Sequence, residues 1–188
     1  MPVRTNKRDK LVNAANRLFL EKGTDLTTLA DIAQAADVPL GNIYYYFKTK
    51  KEIIIDIIKL RHTELELLLS NIEGQHAEPI AQIKTFMEIF LNVNQPEEQT
   101  IGAMITSFWQ DITKSKDVML DDFLPLPNLV LQWLVKRFEA LGKVNAKEHA
   151  IGLLSSMQGL LLMNSSPVAK EQLPIQAKFI ECSFGLSL

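Results

Sequence analysis

The sequence predicts an all-α protein: a three-helix head containing a helix-turn-helix, followed by a larger helical body, about nine helices in all. Three observations predict it. Apolar residues recur at helical spacing along almost the whole chain. No stretch alternates apolar and polar residues between turn signals, and the β-branched residues fall within helical periods. Glycines, prolines and side-chain capping patterns interrupt these periods where helix ends are expected. The organisation implied is a head over residues 1–51, a joining helix over 49–72 and a body over 73–188.

The first helix spans residues 7–22, with Leu11, Ala15, Leu18 and Phe19 inward and Gly23 as its stop. The second covers 28–36, where Leu29, Ile32, Ala33 and Ala36 make one narrow apolar face. Thr28 and Asp31 have the spacing of a cap with a reciprocal acidic partner. Asp37 then supplies the turn, because aspartate tolerates the left-handed conformation better than most residues. A third helix covers 39–47. Thr49 and Glu52 cap a fourth, which runs through Ile53, Ile57, Leu60, Leu65 and Leu68 to Ile72 and ends before Gly74.

The body opens at Pro79, with Ile80, Ile83, Met87, Phe90 and Leu91 periodic and a stop before Pro96. Residues 101–113 give another helix, with Ile101, Ile105, Phe108 and Ile112 on one side and Met104 and Trp109 adjoining. A segment over 118–124 is broken or kinked by Pro125 and Pro127. The period resumes with Leu129, Trp133, Leu134, Phe138 and Leu141, up to Gly142. Asn145 and Glu148 cap a helix that reaches Met163 through Leu154, Met157 and Leu161, and residues 164–167 form a loop. A last helix spans 174–184 with Ile175, Phe179 and Ile180.

The functional signal lies in residues 28–47, TLADIAQAADVPLGNIYYYF. At 100° per residue, Ile43 and Phe47 share the core side of the third helix. Opposite them fall Gly41, Tyr45 and Lys48, flanked by Asn42 and Tyr44. Exposed tyrosines beside a glycine suit a DNA groove, since phenol hydroxyls bond phosphate oxygens and glycine permits close backbone approach. The alternative is a plain helical hairpin with Tyr44 and Tyr46 half buried. On the DNA reading, Tyr44 and Lys50 act on phosphate, while Leu40 and Asn42 reach base edges. Lys48, Lys50 and Lys51 crowd the start of the next helix, where a nearby anion would offset their repulsion from the helix dipole.

This segment resembles the N-terminal DNA-binding domain of TetR-type transcriptional regulators. Their usual string is Thr, three residues, Ile-Ala, two residues, Ala-Gly-Val, two residues, Gly, two residues, Tyr-x-Tyr-Phe, two residues, Lys. Thr28, Ile32, Ala33, Ala36, Val38, Gly41, Tyr44, Tyr46, Phe47 and Lys50 stand in that register. The match extends over about residues 5–65 with the flanking helices. Asp37 stands in place of the common turn glycine, Pro39 in place of a capping serine, and Leu40 where relatives often carry a basic or polar residue. With the pattern above, the resemblance implies DNA contacts from Thr28, Pro39, Leu40, Gly41, Asn42, Tyr44, Tyr45, Tyr46, Lys48 and Lys50. It also implies a two-fold homodimer built from the last two long helices, and double-stranded DNA as partner.

Composition agrees with a regulator rather than a chemical catalyst. With 47% hydrophobic and 22% charged residues, the chain can bury a core. Its net charge of −2 is unevenly spread: residues 1–51 hold nine basic against five acidic side chains, the remainder eleven against seventeen. A basic head on an acidic body suits a DNA reader. His62, His76 and His149 are scattered, and no GxSxG, P-loop or strand-borne GxGxxG is present, so no catalytic residue, metal site or cofactor is expected. Cys182 stands alone and reads as a small buried hydrophobe. The polar, basic opening and the lack of a membrane-length apolar run imply the cytoplasm and no membrane partner.

Two features of the body bear on regulation. Methionine and aromatic residues adapt to flat, apolar ligands, and Met87, Phe90, Met104, Phe108, Trp109 and Trp133 are the candidate pocket walls, with ordinary core as the alternative. The last two helices are apolar on more than one face, so Leu154, Met157, Gly159, Leu161, Ile175 and Phe179 are candidates for a dimer interface. The expectation is a repressor released from a pseudo-palindromic operator by a small, mostly apolar inducer. The alternative is a ligand-insensitive DNA-binding protein whose body serves only dimerisation or a protein partner.

Overall fold

The computed structural model describes residues 6–91, 125–163 and 167–186. Among them are eight α-helices and no strand: α1 (Lys7–Lys22), α2 (Leu29–Ala35), α3 (Leu40–Tyr46), α4 (Lys50–Gln75), α5 (Pro79–Leu91), α6 (Pro125–Ala140), α7 (Ala146–Met163) and α8 (Pro167–Ser183). The expected helix over 101–113 and the segment 118–124 lie outside the described residues. The described residues divide into two compact units, the first holding residues 6–63 with Pro125 and Leu126, the second residues 64–91, 127–163 and 167–186.

In the first unit, α1 starts at a capping box: the Asp9 N–H donates to Asn6 Oδ1 at 3.0 Å and the Asn6 N–H to Asp9 Oδ2 at 3.3 Å. It ends at Gly23, whose φ of 83° only glycine adopts freely and whose N–H donates to the Phe19 carbonyl. Helix α1 packs on α2, and α2 on α3. The core comprises Leu11, Val12, Ala15, Phe19, Ile32, Ala33, Ile43, Phe47, Ile53, Ile54 and Ile57, all buried. Leu18 is only half-buried, and Val12 takes the inward place expected for it.

Several boundaries differ from the sequence expectation for physical reasons. Helix α4 runs through Gly74 to Gln75, because a single glycine costs about 1 kcal/mol and does not end a helix by itself. On its second half Leu65, Leu69 and Ile72 are buried, with Leu60 and Leu68 half-buried. Pro125 opens α6 and Pro127 follows two residues into it, while the segment expected to end at them, 118–124, lies outside the described residues. Both sit in the first turn, where the missing N–H has no intrahelical partner to lose. For the same reason Pro167 opens α8, seven residues before the expected start at Pro174, which lies inside the helix.

The body's core is aromatic. The Phe86 ring lies 5.4 Å from Phe90 and 5.5 Å from Trp133, centroid to centroid. Met87, Leu134 and Phe138 are buried as well. A polar junction fastens the end of α4 to α5 and α6. The Trp133 indole donates to Glu73 Oε1 at 2.8 Å, and the Arg137 guanidinium, 4.1 Å above the same indole, donates to that oxygen and to Gln82 Oε1. Gln82 Nε2 in turn donates to the His76 carbonyl, and Thr85 Oγ1 and His76 Nε2 share a hydrogen bond of 3.0 Å. Helix α7 packs on α5 and α8, with Ala150, Leu153 and Met157 buried. Gly152 is the close-packed glycine of α7: a methyl there would lie 3.1 Å from the Phe184 ring.

Candidate nucleic-acid interface

The helix-turn-helix is held by backbone bonds that its sequence makes possible. Thr28 caps α2: the Asp31 N–H donates to Thr28 Oγ1 at 3.1 Å, and the Thr28 N–H to Asp31 Oδ2 at 2.8 Å. That amide and the Lys22 ammonium, 2.9 Å away, hold the Asp31 carboxyl at a pKa of about 2, below its usual 3.8. Helix α2 closes in a Schellman motif, with the Val38 N–H on the Ala33 carbonyl and the Asp37 N–H on that of Gln34. Asp37 occupies the left-handed position at φ 55°, the one described non-glycine residue with positive φ, as the turn chemistry predicts.

Helix α3 follows at once. Pro39 sets the entry with φ −54° and ψ 136° and makes no side-chain cap. Ile43 and the C-cap residue Phe47 are fully buried, so Leu40, Gly41, Asn42, Tyr44 and Tyr45 of this seven-residue helix turn outward. Tyr45 is 81% exposed, Tyr44 48% and Leu40 47%; Gly41 and Asn42 are exposed too. Tyr46 is half-buried, its ring edge-on to Tyr45 at 5.1 Å. A methyl on Gly41 would meet no atom within 4 Å. The result is a short helix with an uncharged face of one amide, one leucine and two phenols around an unfilled glycine.

The flanking lysines are tied down. Lys48 Nζ donates to the Tyr44 carbonyl at 2.5 Å, and its backbone N–H to Glu52 Oε2 at 2.8 Å. Glu52 thus reaches past Thr49 to Lys48, while Thr49 Oγ1 accepts the Glu52 N–H as expected. Lys50 is turned inward: its ammonium donates to the Thr24 carbonyl at 2.7 Å, in the link between α1 and α2. Sequence periodicity does not reveal that bond, which spans 26 residues. Nor does it reveal Arg8, whose guanidinium lies 4.9 Å over the Phe47 ring and pairs with Asp56 at 2.6 Å, bracing the end of α3.

The body residues singled out above divide. Met87, Phe90 and Trp133 are buried in the aromatic core, while Met104, Phe108 and Trp109 lie outside the described residues. On the last two helices Ile175 is 62% and Phe179 67% exposed, Gly159 is exposed, and Leu154 and Leu161 are half-buried. Met157 differs: its side chain is fully buried within its own chain, so exposed Ile151 and Leu162 carry the outer face of α7 instead. Cys182 is exposed rather than buried, because it follows Phe179 by three residues on the same outer stripe of α8. Among the described residues no group of His, Cys, Asp or Glu forms a metal site, and no helix is long and apolar enough to cross a membrane.

Two short helices joined by a tight turn, the second with an exposed outer face, have the geometry of a helix-turn-helix. The comparisons with known proteins agree. Residues 11–57 match the model of bacterial regulatory proteins of the tetR family. The regulator TtgR of Pseudomonas putida is 25% identical over 163 residues, covering 82% of this chain and 78% of TtgR. The repressor BepR of Brucella suis is 27% identical over 165 residues, with the same coverage of 82% and 78%. A TetR regulator from Legionella pneumophila shares the fold with a TM-score of 0.79 at 19% identity, over 97% of this chain and 99% of that one. The chain belongs to the TetR family and is a DNA-binding transcriptional regulator, not an enzyme.

Proposed function

We propose that the chain is a homodimeric repressor, released from a pseudo-palindromic operator by a small, mostly apolar ligand. One observation carries the DNA half of this reading: α3 buries Ile43 and Phe47 and turns Leu40, Gly41, Asn42, Tyr44 and Tyr45 outward together. Two such helices related by a two-fold axis read half-sites about 34–36 Å apart, or a multiple of that. Exposed Ile175 and Phe179 on α8 support self-association, since side chains of this size are otherwise found inside. The head, over residues 1–51, carries the DNA contacts, and the body, over 73–188, carries dimerisation and the ligand, with the protein acting in the cytoplasm. Release follows if the ligand binds better to a body conformation in which the two heads are wrongly spaced. BepR, named a repressor, supports the direction of control.

A second reading has its own observation. Met87, Phe90 and Trp133 are buried, the Phe86 ring is in contact with two of them, and the Trp133 N–H is satisfied by Glu73, as in ordinary core. On that reading the body serves dimerisation or a protein partner and senses nothing small. Mass spectrometry of compounds that copurify with the protein, followed by a gel shift on its own upstream DNA with and without them, decides. Release of DNA by a copurified apolar compound is expected; retention of DNA with every one of them favours the second reading.

A further inference from the structure

The chemistry of α3 restricts what it can read. Guanine is recognised in the major groove through its O6 and N7 acceptors, most often by the paired donors of arginine or by lysine. Helix α3, LGNIYYY, contains neither. The cations next to it are engaged elsewhere: Lys48 Nζ is bound to the Tyr44 carbonyl at the end of the helix, and Lys50 Nζ to the Thr24 carbonyl. The helix has no carboxylate to accept from the cytosine amino group. What it presents is the Asn42 amide and the apolar Leu40 side chain, both exposed at its N-terminal end, with phenol rings one turn on. A carboxamide pairs in two-point fashion with adenine N6 and N7, and an aliphatic group suits the thymine methyl.

We propose that α3 reads an A·T-rich half-site core, with Asn42 taking an adenine and Leu40 packing on thymine methyl groups. Leu40 and Asn42 are then specificity-determining residues, and Gly41 between them leaves the backbone close enough for both to reach the base edges. This rests on the assignment of α3 to the major groove. It goes further by naming the DNA that the face fits.

The test uses the full chain and a random duplex library. Repeated selection at about 0.15 M salt is expected to enrich an inverted repeat whose half-site cores, beneath α3, are A·T pairs. Thymine is then replaced by uracil, which lacks only the methyl, at each core position of the selected site. One position should lose about fourfold in affinity, the worth of one buried methyl. That loss should disappear in Leu40→Ala. Replacing the adenine opposite Asn42 by 7-deazaadenine should cost about fivefold or more in wild type and nothing further in Asn42→Ala. Cores enriched in G·C, or uracil and deazaadenine losses that persist in both variants, overturn the assignment of bases while leaving groove binding intact. Failure to enrich any duplex overturns the groove assignment itself, and this inference with it.

Discussion

Replacing Gly41 with alanine should move stability and DNA binding in opposite directions. Gly41 is the second residue of α3, and a methyl there would meet no atom within 4 Å. The substitution therefore adds no clash within the chain and removes the excess backbone freedom of a helical glycine, a gain of about 0.5–1 kcal/mol. For a chain of 188 residues, that corresponds to a rise of roughly 1–4 °C in melting temperature. Against DNA the same methyl stands between the helix backbone and the groove it faces. Overfilling a close contact costs about 1–3 kcal/mol, or roughly 5- to 150-fold in affinity. No charge is lost, so the slope of log affinity against log salt should stay that of wild type. Thermal melting by circular dichroism and fluorescence anisotropy with a selected operator measure the two effects. A Gly41→Ala protein that melts higher and binds DNA as tightly as wild type would show that the backbone of α3 does not approach DNA. A lower melting temperature would refute the open space around Gly41.

Three further outcomes follow from the head and the body. Asp31 has its pKa lowered to about 2, so its contribution to stability is complete above its usual value of 3.8 and is lost as pH falls through about 2. Asp31→Asn should accordingly flatten the acid limb of a urea-stability profile between about pH 4 and pH 2. Lys50→Ala should lose about 1.5 kcal/mol of stability by freeing the Thr24 carbonyl, with an unchanged salt slope. Unchanged stability with a salt slope lower by about one would instead put Lys50 on a phosphate, as the sequence alone suggests. Phe179→Asp should leave the chain folded, because the ring is exposed, yet give a monomer at micromolar concentration by sedimentation where wild type is a dimer. A wild-type monomer would remove the basis for a palindromic operator.

The legible parts of the fold were those governed by nearest neighbours along the chain. Thr28 with Asp31, the left-handed Asp37 and the burial of Ile43 and Phe47 each depend on residues within one or two turns. Interactions between distant positions left no periodic trace. Arg8 over Phe47, Lys50 on Thr24 and the Glu73–Trp133–Arg137 junction depend on where helices cross. Pro174 lies inside α8 instead of opening it, because a proline's effect depends on its position within a helix, which the residue itself does not reveal. Met157 was misassigned for a related reason. A helix apolar on two faces does not say which face its own subunit covers, and here that face includes Met157.

The junction on Trp133 also gives the protein an optical gauge. The chain has two tryptophans, Trp109 and Trp133, and the second donates its indole N–H to a carboxylate while a guanidinium lies over its ring. Indole emission responds to charges placed so near the ring. In a Trp109→Phe background, fluorescence therefore comes from the point where α4, α5 and α6 are fastened together. A compound that loosens or tightens this fastening will register in the colour of the light, without label or DNA. Arg137→Met, which keeps an apolar stem but removes the cation, supplies the zero of that scale; an emission maximum unmoved by it would mean that the guanidinium does not rest on the ring.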